Sequence, residues 1–240
     1  MDVAIMAAGA LLCGAAGFAA SRGIITLLER LDNGIIEHGA DRRAGLAASA
    51  LACLLSCMGA LMGGGWPIWA LSVPFWASLS GAAYSDGLTK EIYDCVYYPG
   101  ILGSALMLWI SSPGKAVLVD LGIFLVLQFA LFRLMYGMSD CIAFSMCALF
   151  LAVHGCGLLE MMAVMLLTLV LFVVWHFLSK NVHLSKSSIR EGTFMKLKEP
   201  DAMIPYIYGA MGIVMACMAL PMGLGLFLFG AAAVAVLVFL

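Results

Sequence analysis

The chain has 240 residues, of which 64% are hydrophobic and only 11% are charged, and its formal net charge is −2. Soluble domains are nearer half apolar and a quarter charged. This composition, with a mean hydropathy of +1.08, therefore excludes an ordinary soluble domain and favours a polytopic membrane protein. The predicted fold class is all-α, a transmembrane helical bundle formed by one membrane domain over residues 1–240. Membrane lipid is an expected partner, and no basic tract suggests that the chain binds nucleic acid.

Apolar runs separated by turn residues or charged residues predict about eight or nine membrane segments. In chain order, the candidates are 3–21, 44–62, 67–85, 96–111, 116–135, 140–154, 157–178, 203–219 and 222–240. Some of them are shorter than the roughly 20 residues of a full span. Between the first two, residues 22–43 combine apolar residues at helical spacing with many charged side chains. This pattern predicts an amphipathic interfacial helix, broken near Asn33–Gly34.

The basic residues predict how the chain lies in the membrane. Alternating spans place 22–43, 86–95, 136–139 and 180–201 on one side, and this side receives every lysine and arginine except Lys115. Loops rich in lysine and arginine stay in the cytoplasm. The loops 22–43, 86–95 and 180–201 are therefore predicted to be cytoplasmic.

Two isolated aspartates stand at this same predicted interface. Asp86 ends the run WASLSGAAYSD, and Asp140 lies in YGMSDCIAF, three residues after Gly137. Two carboxylates that are close enough to share a proton can act as acid and base in peptide hydrolysis, and their pKa values then belong to the pair. Gly137 would let a substrate backbone or a helix come close, and Ser139 is small enough to keep most of that room. Asp86 and Asp140 are the predicted catalytic residues, at the cytoplasmic interface.

Three stretches resemble the prepilin peptidase family of GxGD intramembrane aspartyl proteases, including its preflagellin and Tad-type members. SDGLTKEIYD, residues 85–94, is similar to the first catalytic motif, although Tyr93 and Asp94 replace the usual Pro and Asn. In it Asp86 matches the catalytic acid, Thr89 and Lys90 match the polar turn, and Ile92 matches the isoleucine. GMSD, residues 137–140, resembles GxGD with Ser139 in place of the second glycine. Ile204–Pro205–Tyr206, leading to Gly209, is similar to the start of a C-terminal helix.

The resemblance covers residues 67–220, which would form the peptidase-like core. It implies an aspartic endopeptidase of a prokaryotic plasma membrane that removes a short basic leader from pilin-like precursors, at the cytoplasmic edge of their hydrophobic helix. Asp86 and Asp140 would be catalytic, Gly137, Ser139 and Lys90 supporting, and no cofactor is implied. Some bacterial members also N-methylate the new N-terminus and carry a cytosolic domain with paired CxxC motifs, a domain that is missing from this sequence.

The eight cysteines offer no metal site. No two of them form a CxxC pair, so a zinc knuckle is not expected. Most lie in apolar segments, where cysteine behaves as a small hydrophobic residue. The sequence thus predicts neither a metal nor a disulfide framework.

Other interpretations of the acidic residues remain open. Asp86 and Asp140 could be helix caps without chemistry, since aspartate is a favoured cap, and Asp94 could replace Asp86 as the working acid. A transporter that uses both acids as proton or cation carriers would predict acids at mid-membrane depth and an internal repeat, and neither is visible. A catalytically silent relative that only assembles pilus components is the third possibility. Asp120 and Glu160, near turns on the other side, are predicted to be interfacial.

Overall fold

The computed structural model describes residues 3–31, 42–89, 92–134, 136–179 and 202–219. Within these ranges the protein has eight α-helices and no strand, which confirms the all-α class. The helices are α1 (Val3–Leu31), α2 (Arg42–Leu61), α3 (Gly65–Thr89), α4 (Tyr97–Ser111), α5 (Lys115–Ala130), α6 (Met138–Val153), α7 (Leu158–Ser179) and α8 (Ile204–Ala219). Two short 3-10 helices, Asp94–Val96 and Phe132–Leu134, precede α4 and α6.

Three helix ends differ from the sequence prediction by four residues or more. Helix α5 ends at Ala130, five residues before the predicted end of its segment. Helix α1 continues unbroken to Leu31, so residues 22–31 extend the first helix instead of starting a separate one. Ile25 and Leu28 on this extension are buried, as the helical spacing of its apolar residues predicts. Helix α3 continues to Thr89, so Asp86 lies within its last turn rather than in a loop. The remainder of the amphipathic stretch, residues 32–41, lies outside the described residues, as do Lys90, residues 180–201 and the segment 222–240.

Three helical stretches are long and apolar enough to cross a membrane: Ile5–Arg30, Arg42–Leu61 and Leu158–Trp175. They indicate that the protein associates with a membrane. Two further apolar helices, Met138–Val153 and Ile204–Ala219, are shorter. A helix of this length rises about 24 Å, less than the ~30 Å hydrocarbon core of a bilayer. The number of spans, eight or nine, stays a prediction.

Helix α3 is the centre of the bundle. Every residue from Phe75 to Asp86 is buried, because α1, α2, α4 and α8 all pack against this helix. A helix enclosed in this way carries no polar face. Near its middle, Phe75 stacks on Phe150 of α6 with ring centroids 4.3 Å apart, and Trp76 packs edge-on against the same ring at 5.2 Å.

A buried network of hydroxyl groups joins four helices. Ser21 Oγ of α1 hydrogen-bonds Ser49 Oγ of α2 at 3.0 Å and Ser80 Oγ of α3 at 2.7 Å. Tyr208 Oη of α8 donates to the carbonyl oxygen of Ala48 at 3.1 Å. Small polar residues of this kind let apolar helices approach closely and hold their relative positions.

The order of the helices determines which helix termini lie at each end of the bundle. The acid end, as we call it, contains the C-termini of α1, α3 and α5 and the N-termini of α2, α4, α6 and α8. There Tyr84 Oη donates to Glu29 Oε1 at 3.0 Å, joining α3 to α1. Among the described lysines and arginines, those in the acid-end half are Arg22, Arg30, Arg42, Arg43 and Arg133, and Lys115 lies at the opposite end.

Candidate active site

Asp86 lies in the last turn of α3 and is only 7% exposed. A helix C-terminus carries partial negative charge, which disfavours a carboxylate there. The chain offsets this with the N-terminus of α8, because Ile204 N donates to Asp86 Oδ2 at 2.8 Å. Asp86 thus joins the first of the three family-like stretches to the third, and it acts as a cap for a helix far away in sequence.

Asp140 lies in the first turn of α6 and is half-buried. Its Oδ2 accepts a hydrogen bond from the backbone N–H of the N-cap residue Gly137 at 3.1 Å, which is one half of a capping box, because glycine has no side chain to make the reciprocal bond. Gly137 has φ −65 and ψ 161, which any residue can adopt. A Cβ atom there would lie 3.3 Å from Asp140 Oδ2. The glycine therefore leaves room for the carboxylate itself, whereas the sequence predicted room for a substrate or a neighbouring helix. Ser139, in the same turn, is half-buried.

Helices α3, α4 and α6 meet at Gly100, and this contact fixes the heights of the two acids. A Cβ atom on Gly100 would lie 2.5 Å from Met146 Sδ of α6 and 2.8 Å from Ser78 Cβ of α3. Asp140 is six residues from Met146 and Asp86 eight residues from Ser78, both toward the acid end. At 1.5 Å per residue these separations are about 9 and 12 Å along the helices. The two acids therefore lie at similar heights above one three-helix contact.

Tyr97, in the first turn of α4, is buried, and the charges of both acids act on its hydroxyl group. Its side chain is 1% exposed, and its hydroxyl has no hydrogen-bond partner among the described residues. The negative charge of Asp140 acts on this hydroxyl most strongly, followed by that of Asp86, with Asp94 the weakest of the three. The structure therefore brings both predicted acids within electrostatic range of one phenol.

A second tyrosine lies beside Asp140. Burial, and then the charge of Asp140, raise the pKa of Tyr136 above its usual value. The Tyr136 ring packs edge-on against Phe144 with centroids 5.6 Å apart. Sequence reasoning singled out neither Tyr136 nor Tyr97, because a tyrosine near the end of an apolar segment is typical of the membrane interface. Their only signal was position, since each stands within a few residues of a family-like stretch.

The remaining acids are arranged differently. Asp94 is exposed at the start of its 3-10 helix. At the opposite end of the bundle, Asp120 Oδ2 accepts from Leu158 N at 3.2 Å and Glu160 Oε2 accepts from Gly157 N at 2.9 Å. Both carboxylates therefore cap the N-terminus of α7, which accounts for Asp120 inside an apolar segment. In the described part of the chain, no group of three or more His, Cys, Asp or Glu residues could hold a metal ion.

Two arrangements of chemistry fit this geometry. Carboxylates at similar height on packed helices, each accepting a hydrogen bond from a backbone N–H, can share acid and base work on a bound water. The same two hydrogen bonds also satisfy helix N-termini, which is a purely structural role. Comparison with protein-family models, with curated proteins and with solved structures found no match for this chain.

Proposed function

We propose that the protein is an intramembrane aspartyl endopeptidase that removes the leader of pilin-like precursors at the cytoplasmic face of a prokaryotic plasma membrane. The observation that carries this proposal is that Asp86 and Asp140, on neighbouring helices at one end of the bundle, both act on the buried Tyr97 hydroxyl. The two carboxyl groups accept hydrogen bonds from different helix N-termini, those of α8 and α6. Gly137 and Ser139 support Asp140 in this proposal, and Lys90 follows the turn that carries Asp86.

The reaction needs one ionised and one protonated carboxyl group. The ionised carboxylate takes a proton from water while the water oxygen bonds to the peptide carbonyl carbon, and the protonated carboxyl gives its proton to the carbonyl oxygen. The resulting gem-diol then collapses: the C–N bond breaks as the nitrogen takes a proton from the carboxyl group that received one from water. One hydroxyl group of the diol returns its proton to the other carboxylate, which leaves a carboxylic acid, an amine and the singly protonated pair. Like charges at short separation favour this singly protonated state of the pair.

The proposed substrate follows from the position of the acids. We place the acid end in the cytoplasm because five of the six described basic residues lie in that half of the bundle, as the positive-inside rule requires. A precursor with a soluble basic leader and one hydrophobic helix presents its junction at this depth. Eight or nine membrane segments would then enclose the site. No cofactor takes part in this mechanism.

A catalytically silent relative is the second candidate, because each acid already caps a helix N-terminus. Capping and catalysis can be separated by replacing Asp with Asn, which keeps an oxygen for the N–H group but removes the ionisable carboxyl. The alternative of a transporter has no observation in its favour among the described residues.

The test is processing of a co-expressed precursor by Asp86→Asn and Asp140→Asn variants, read as a shift in precursor size. We expect each substitution to abolish cleavage while expression and thermal stability stay near wild type, since Asn caps helices about as well as Asp. Asp86→Ala, which removes the acceptor for Ile204, should in addition lose about 1 kcal/mol of stability. Asp94→Asn, the matched control, should cleave normally. Cleavage by both Asn variants would disprove the aspartyl mechanism.

A further inference from the structure

The Tyr97 hydroxyl is an unpaired polar group inside the protein. The Tyr97 side chain is 1% exposed, and its Oη has no hydrogen-bond partner among the described residues. Burying a hydroxyl without a partner is unfavourable, so such groups in folded proteins are generally satisfied by an ordered water or a ligand. A water molecule or a ligand would satisfy this phenol.

The direction of α4 places this hydroxyl at the level of the acids. Tyr97 is three residues before Gly100, one turn nearer the acid end, where Gly100 is wedged between Met146 and Ser78. Side chains on a helix tilt toward its N-terminus, which for α4 is the acid end. The phenol thus extends from the three-helix contact toward Asp140 and Asp86, and the charges of both reach it.

Other buried polar groups also lack a partner among the described residues, including Ser78, Ser104 and the side-chain amide of Gln128. Ser78 lies about two helical turns before Asp86 on α3, and Ser104 about two turns after Tyr97 on α4, so both are farther from the acid end. Tyr136 senses Asp140 alone of the two acids and is half-buried. Tyr97 is the group among these that combines full burial, an unpaired hydroxyl and proximity to both carboxyl groups.

We propose that the Tyr97 hydroxyl, with the carboxyl groups of Asp86 and Asp140, forms the binding site of the water that attacks the peptide bond. This inference rests on the proposed function and adds a third member to its site. Converging on one water, these three groups would supply the two to four hydrogen-bond partners that a buried water needs. Tyr97 donates its hydroxyl proton to the water oxygen, while the water donates to the ionised carboxylate. The second lone pair of the water is thereby directed at the substrate carbonyl, so Tyr97 is a positioning residue.

The experiment compares Tyr97→Phe with Tyr98→Phe in protein reconstituted into lipid vesicles with a pilin-like precursor. Phe keeps the ring and removes only the hydroxyl, and Tyr98, the neighbouring control, is 65% exposed. We expect Tyr97→Phe to lower kcat roughly 10²-fold, the scale of a small misplacement of a reacting group, with KM and Tm unchanged. Tyr98→Phe should match wild type in all three. An unchanged kcat, or a loss confined to KM, would overturn the inference.

A second variant covers the case in which Tyr97→Phe does not fold. Incorporation of 3-fluorotyrosine at position 97 keeps the shape and the hydroxyl but makes the hydroxyl more acidic. A hydroxyl bonded to the catalytic water then shifts the pH profile of kcat, whereas a purely structural phenol leaves it unchanged, and an unchanged profile overturns the inference. If Asp86→Asn and Asp140→Asn abolish cleavage but both changes at Tyr97 are silent, this inference alone falls. If the wild type cleaves no precursor, or both Asn variants still cleave, the proposed function falls and takes the inference with it.

Discussion

Asp86 caps a helix that is distant from it in sequence. Aspartate is a favoured N-cap, and the sequence therefore suggests caps on the helices that follow Asp86 and Asp140. Asp140 is not the N-cap of α6, which is Gly137, but stands three positions later and accepts a hydrogen bond from the Gly137 N–H. Asp86 instead caps α8, 118 residues later in the chain. No local pattern contains that pairing, because it depends on which helix N-terminus the fold brings to the end of α3.

His154 should make the stability of the folded protein depend on pH. It follows α6 directly, packs on Phe150 at 4.9 Å, and its buried Nε2 has no partner among the described residues. Burial lowers the pKa of His154 below its usual value. The unfolded chain takes up a proton near pH 6.5, while the folded protein resists protonation until lower pH. Stability is therefore lost as the pH falls from about 6.5 toward the folded pKa.

We expect the Tm of the purified protein to fall over this pH range, and the fall to be smaller in His154→Phe, which keeps an aromatic ring. Thermal unfolding in detergent at a series of pH values measures both proteins. Because other titrating groups are common to both, the difference between the two curves isolates His154. Parallel curves would contradict the assignment.

At the scale of elements, the apolar runs predicted all eight described helices, and most of their ends, well. Hydropathy suffices because a segment in lipid must satisfy its own backbone hydrogen bonds, and a helix does so. The sequence places the C-terminal end of α3 too early, because a carboxylate in an apolar run is typical of the start of a loop. The structure keeps Asp86 helical, with its charge compensated from another helix. The exact meeting points of helices, such as Gly100, also depend on shape and are not visible in a hydropathy pattern.

Gly100→Ala tests the contact of α3, α4 and α6. A methyl group there would collide with Ser78 Cβ, which cannot move without its helix. Overpacking of this kind costs about 1–3 kcal/mol, so we expect a lower Tm. Gly122→Ala is the matched control, because its Cβ would meet nothing within 4 Å, and it should be neutral or up to about 1 kcal/mol more stable. The two variants are compared by thermal unfolding, and equal Tm values would show that the contact is looser than described.

For the whole molecule, alternation of the spans predicted that Asp86 and Asp140 share one end, and the described helices agree. What could not be predicted was how closely the acids approach one buried group, since this depends on the packing of three helices. Tyr97 was missed for the same reason, as a tyrosine near a helix end is common in membrane proteins.

We predict that the acid end lies on the cytoplasmic side of the membrane, and thiol labelling can test this. Cys95, in the 3-10 helix before α4, is an exposed thiol at the acid end. Ser112, after α4, is exposed at the opposite end. A variant that retains only Cys95 should react with a membrane-impermeant maleimide in inverted vesicles but not in intact cells. A cysteine-free variant carrying Ser112→Cys should show the reverse. Labelling of Cys95 in intact cells would place the acid end outside and would remove the cytoplasmic leader as a substrate.

The hydrogen bond from Ile204 to Asp86 also sets an order of events during synthesis. When Asp86 leaves the ribosome, the Ile204 N–H group that will donate to it is still 118 residues from being made. The hydroxyl contact from Tyr208 to Ala48 likewise waits for α8. The first half of the nascent chain can therefore assemble its helices, but it holds Asp86 without the N–H group that anchors it. Translation must therefore reach α8 before the candidate site is complete, and a chain truncated before Ile204 would lack this contact.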